Sequence, residues 1–144
     1  MNINSKDLLY YGATICTGIA GILHLILVPN AIDSNINNAI LFLVGGIAQI
    51  FWVLPMIKKW GRVWYAVGIA GTVILIGLWV ITRIVDNPIT GRGGPISERA
   101  IAVEVFQIAY VAITALIMAK ERIRKPTSRR DNFKLDQGIT KLDK

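Results

Sequence analysis

The residues of this chain best equipped for chemistry are few. There is one histidine, His24, and one cysteine, Cys16, while Arg83, Glu104 and the neutral Gln107 stand in or beside long apolar stretches. Imidazole, guanidinium and carboxylate together could hold a proton, a cation or a small polar ligand. His24 could also ligate a metal with Glu104 or with Asp33, since imidazole and carboxylate are competent donors. The limits are just as plain. A lone histidine excludes a bis-histidine haem within the chain, and a lone cysteine excludes an intrachain disulfide or a multi-cysteine metal site. Acting alone, this chain is therefore not expected to be an enzyme, and no catalytic, cofactor-binding or metal-ligating set is assigned to it. Gly91, Gly93 and Gly94 suggest a phosphate loop, but no Gly-Lys-Ser/Thr follows them and no buried strand precedes them. Cys16 reads as a small buried hydrophobe.

The elements that must position these groups follow from composition. Of 144 residues, 53% are hydrophobic and 17% charged, and the mean hydropathy of +0.52 exceeds what one soluble core needs. The formal charge of +7 resides almost wholly outside four apolar blocks, so it describes loops and a tail and not a nucleic-acid surface. Those blocks, residues 8–28, 38–57, 63–82 and 100–119, each run 20 or 21 residues, against the roughly 20 a helix needs to cross about 30 Å of hydrocarbon. None alternates as a barrel wall must, so an all-α bundle of four transmembrane helices is predicted. The first block lacks a small-x-small cleavage site and is read as helix one, not as a signal peptide. Residues 1–119 form the membrane domain, and 120–144 a basic tail expected to be poorly ordered unless a partner binds it.

Thirteen of the sixteen basic residues fall in the N-terminal segment, the turn 58–62 and the tail, whereas the opposite side carries only Arg92, Arg99 and the membrane-edge Arg83. The positive-inside rule then places both termini in the cytoplasm of a multi-pass protein of the cell membrane. Tyr10, Tyr11, Trp52, Trp60, Trp64 and Tyr65 agree as an inner aromatic belt, with Trp79 at the outer interface. Short connections at 58–62 and 29–37 make helices two and three, and one and two, antiparallel neighbours in an up-down-up-down bundle. Ala13, Thr17 and Gly21 on helix one, Gly45 and Gly46 on helix two, and Ala66 and Ala70 on helix three would admit close backbone approach.

This topology brings His24, Arg83, Glu104 and Gln107 to similar depth near the outer surface. An ionised carboxylate in hydrocarbon costs at least ~2.5 kcal/mol and normally faces a partner or water, and Arg83 is the obvious partner for Glu104. Three readings stand side by side: an architectural pair fixing helix register, an outward-facing pocket for a small polar ligand, proton or cation, and separate snorkelling of Arg83 or Glu104 to water. Gln49, near mid-membrane, is expected to hydrogen-bond a neighbouring helix. Ser97 is placed to cap helix four. The basic residues 122–130 lie close enough to the inner leaflet to meet anionic lipid, or serve only to set topology.

The stretches 40–56 (ILFLVGGIAQIFWVLPM), 78–83 (LWVITR), 87–96 (NPITGRGGPI) and 103–107 (VEVFQ) together resemble a family of small four-helix membrane proteins of ammonia-oxidising archaea, over roughly residues 24–119. The resemblance implies an accessory subunit of the archaeal ammonia monooxygenase, a copper-dependent membrane complex whose catalytic copper resides in other subunits. It supplies no catalytic motif to carry over. On that basis the chain is expected to pack against other membrane subunits and lipid, with no nucleic-acid partner. The competing expectation is a stand-alone small transporter or ligand-binding membrane protein built on the outer polar cluster.

Overall fold

A computed structural model of the chain describes residues 5–84 and 96–123, so the Gly/Pro-rich segment 85–95 and the tail 124–144 lie outside the described residues. Four helices account for nearly all of the rest: α1 (Ser5–Ser34), α2 (Ile36–Ile57), α3 (Arg62–Ile84) and α4 (Glu98–Ile123). Among the described residues there is no strand. All four helices are long and apolar enough to cross a membrane. Most of their large apolar side chains face outward, Ile15, Ile22, Val44, Ile47, Ile74, Val105 and Ile108 among them. That is the distribution a lipid-facing surface needs, because apolar side chains have no water to escape there.

The helix ends are set by local chemistry. The connection expected over 29–37 is almost absent, because α1 runs through Pro29 to Ser34 and only Asn35 separates it from α2. Proline removes one backbone donor without ending the helix here. The break comes at Asn35, whose extended backbone (φ −162°, ψ 114°) lets its side-chain oxygen accept from the N–H of Asn37 and Asn38, capping α2. At the other end, Trp60 N–H bonds to Pro55 O at 3.1 Å and Lys59 N–H to Met56 O at 3.4 Å, with Lys59 left-handed at φ 51°. This is the Schellman termination, with lysine where glycine is usual. Gly61, at φ 106°, completes the turn into α3. Ser97 Oγ accepts from Ala100 N–H at 3.2 Å and caps α4 as its sequence predicts.

Packing is uneven around the bundle. The α1–α2 interface is the most extensive, α1–α4 comes next, and α3 touches α4 and α2 least. Ala13, Met56, Tyr65, Tyr110 and Ile117 form the main apolar cluster, with Cys16 only half-buried against it. On α1, Ala13, Thr17 and Gly21 do mediate close contact. On α3 the small residues lie on the other side. Ala66 and Ala70 are exposed, and it is Tyr65, Gly68 and Thr72 that turn inward.

An electrostatic clasp joins the ends of the helices at the turn. Lys59 Nζ donates to Asp7 Oδ1 at 2.6 Å and lies 5.1 Å from the centre of the Tyr10 ring. The hydrogen bond to Asp7 holds the lysine pKa above its ordinary value. Tyr10 in turn donates to Glu121 Oε1 at 2.5 Å, tying α1 to α4. Trp52, Trp60 and Trp64 cluster beside this turn, with Trp52 Nε1 donating to Trp64 O at 3.2 Å.

Candidate functional site

At the opposite end of the bundle from the clasp, a cavity of about 40 Å³ opens among all four helices. His24 reaches it from α1, Asn38 and Phe42 from α2, Trp79, Thr82 and Arg83 from α3, and Ala100, Val103 and Glu104 from α4. Three of the four cluster residues named from sequence therefore share one wall. Gln107 does not. It lies one turn deeper on α4, 1% exposed, with both amide atoms buried and unpartnered among the described residues.

Each side chain is placed by its helix. His24 Nδ1 lies 2.9 Å from Ala20 O, one turn back on α1, and the ring stands edge-on to Phe42 at 5.9 Å. Gly45 makes room for it, since a β-carbon there would meet the imidazole at 3.4 Å. With Nδ1–H donating to a carbonyl, the neutral ring offers Nε2 as an acceptor. The Gln49 amide lies beside that ring. Gln49 does link helices, but through its backbone, for Thr17 Oγ1 donates to Gln49 O at 3.0 Å while Gln49 Oε1 is buried without a hydrogen-bond partner among the described residues. Thr82 donates back to Trp79 O at 3.0 Å, and the Trp79 indole N–H is buried and unpaired among the described residues.

These dimensions decide what the site can hold. One water needs about 10–15 Å³ of such volume, so the cavity accommodates about three or four waters or a solute of comparable size. Its wall offers an imidazole, a guanidinium and a carboxylate, a set able to hold a small polar molecule by both donating and accepting hydrogen bonds. Among the described residues no three His, Cys, Asp or Glu side chains are grouped to hold an ion, and Asp33 lies exposed on the last turn of α1.

The sequence also carried a signal that residue-by-residue reading misses. Glu104, Gln107, Tyr110, Thr114 and Glu121 recur at spacings of three, four and seven, which is one face of α4. That face points into the bundle: Gln107, Tyr110 and Thr114 are all but fully buried, and the Tyr110 hydroxyl and Thr114 Oγ1 have no hydrogen-bond partner among the described residues. Tyr110 reaches across to Gly68, whose missing side chain leaves the space taken by the Tyr110 hydroxyl and the Trp52 indole. A polar line thus runs along α4 from the cavity toward the Tyr10–Glu121 hydrogen bond. Beside it, between α2 and α3, lies a second void of about 160 Å³ lined by Thr17, Gln49, Trp52, Gly68 and Thr72. Set against known protein families, curated proteins and solved structures, the chain matches none of them.

Proposed function

We propose that this chain is a non-catalytic subunit of a larger membrane assembly, stabilising a partner and helping to shape the outer approach of a small substrate. The observation that carries the reading is α3. It is the least packed helix of the bundle, its Ala66 and Ala70 face outward, and a β-carbon at Gly71 or Gly77 would meet no atom within 4 Å. Close approach of small residues is what drives helix association in lipid, and on α3 that capacity is left unused within the chain. The family resemblance directs the proposal to the archaeal ammonia monooxygenase, with copper held by partner subunits. Charge asymmetry supplies the orientation, both termini and the turn 58–62 cytoplasmic in the cell membrane.

Purification in mild detergent tests the assembly. The chain should co-migrate in stoichiometric amount with copper-bearing membrane subunits and carry no copper itself. One equivalent of copper on the isolated chain, abolished by His24→Ala, would replace the scaffold with direct metal handling. For orientation, Thr90→Cys in a Cys16→Ala background should react with an impermeant thiol reagent in intact cells, and labelling only after lysis would reverse it.

A second reading, a stand-alone carrier of protons or small polar solutes, is favoured by the buried polar face of α4. Unpaired buried groups each cost about 1–3 kcal/mol, and internal water along this face would satisfy them. Flux through proteoliposomes holding only this chain, lost in Gln107→Leu, would select it over the first.

A further inference from the structure

Where α3 begins and α4 finishes, an open groove of about 570 Å³ runs between the two helices, lined by Arg62, Ile69, Ala115, Met118, Ala119 and Arg122. The register is orderly. Arg62 and Ile69 are seven residues apart on α3, and Ala115, Met118, Ala119 and Arg122 follow at three, four and seven on α4, so each helix presents one face. Each face ends in an arginine, and the apolar floor extends about 10 Å from them along the helices. Alanine at 115 and 119 keeps that floor open.

We propose that this groove holds one anionic phospholipid, with its phosphate between Arg62 and Arg122 and an acyl chain along Ile69, Ala115 and Met118. The charge argument is specific. Neither guanidinium has an ion pair among the described residues. Among the described residues, the acids toward this end are committed to α1 and its contacts, Asp7 to Lys59 and Glu121 to Tyr10. What faces the groove is therefore cationic, and guanidinium matches phosphate with two parallel N–H bonds where an ammonium offers a single point charge. The first turn of α3, whose leading N–H groups have no helical acceptor, adds donors on the same side. The volume falls within the roughly 300–1,000 Å³ of ligand pockets, and its apolar floor distinguishes a lipid from a free anion. The site is independent of which assembly the chain joins.

Native mass spectrometry of the full chain tests this, after release from micelles containing equal phosphatidylglycerol and phosphatidylcholine. The wild type should retain one phosphatidylglycerol. Each of Arg62→Gln and Arg122→Gln should lower retention about fivefold, and the pair about 25-fold. Lys58→Gln/Lys120→Gln, which removes equal charge away from the groove, should leave it unchanged, and Ala115→Trp should expel the lipid with all charges intact. Circular dichroism establishes that each variant keeps its helices, so that loss in the charge pair and in Ala115→Trp together cannot be a folding effect. Equal loss in the two double variants would reduce the effect to bulk charge and overturn the site. Displacement by millimolar inorganic phosphate alone, or retention unaffected by Ala115→Trp, would overturn the lipid as its occupant.

Discussion

Between α1 and α2, Gly21 and Gly46 lie so close that a β-carbon on either would stand 3.0 Å from the other's carbonyl oxygen, and one on Gly46 would also meet Leu25 at 2.8 Å. On α3, Gly71 and Gly77 would accept a β-carbon without touching anything. Both regions are rich in small residues, yet one is spent on internal packing and the other is not. In lipid, helices are drawn together by surface complementarity, not by exclusion of water, so the α1–α2 pair is the structural centre of the chain. On α3 the same kind of surface meets no neighbour among the described residues.

The contrast is broken most severely at its centre. Gly46→Leu forces a branched side chain against a carbonyl oxygen that cannot move independently of its helix, and should destabilise the isolated chain by about 3 kcal/mol in denaturant titration. Gly77→Leu, in register with the outward Ala66 and Ala70, should by contrast stay within about 0.5 kcal/mol of wild type while abolishing co-purification of the partner. Equal destabilisation by the two would erase the distinction between the helices. A smaller effect sharpens the role of α4. If the Gln107 amide is unpaired in the folded chain, Gln107→Leu should be neutral or stabilising by about 1 kcal/mol in the same assay; a clear loss would mean that the amide is a structural bond between helices. The smallest effect belongs to the clasp. Lys59→Gln should lower the thermal midpoint slightly, because the pair with Asp7 is solvent-exposed. Since that pair raises the lysine pKa, its contribution is complete from neutrality up to the ordinary lysine value and fades as pH climbs through the raised one. Variant and wild type should therefore converge in strongly alkaline solution.

The four helices were legible because span length and unbroken hydropathy are properties of single segments, and Ser97 announced its cap by type and place. The vanished connection at 29–37 was not. Pro29, Asn30 and Asp33 are loop-forming residues individually, yet α1 runs past them to Ser34 and the break comes at Asn35, whose side chain caps α2. His24, Arg83 and Glu104 could be matched in depth from topology, which fixes height along a helix well. Gln107 shares the face of Glu104 but lies one turn further in, below the cavity that His24, Arg83 and Glu104 line, a difference finer than matching helix ends can resolve. What topology leaves open is rotation, and the four-residue spacing of Ala66 and Ala70 does not say that they face outward. Which face of α3 turns inward depends on Tyr65 and Gly68 meeting Trp52 and Tyr110, contacts among three helices that no single segment encodes.

The most direct test of the central claim is photocrosslinking from α3 in native membranes. Ile74 is 61% exposed on the same side as Ala70, and Ile22 of α1 is 54% exposed, so a photoreactive aromatic residue at either position tolerates the bundle equally. The proposed subunit role predicts one discrete adduct between position 74 and a different membrane protein, with position 22 labelling chiefly lipid. Lipid-only labelling from both positions would contradict it, leaving α3 as an ordinary outer wall and the chain as a bundle complete in itself.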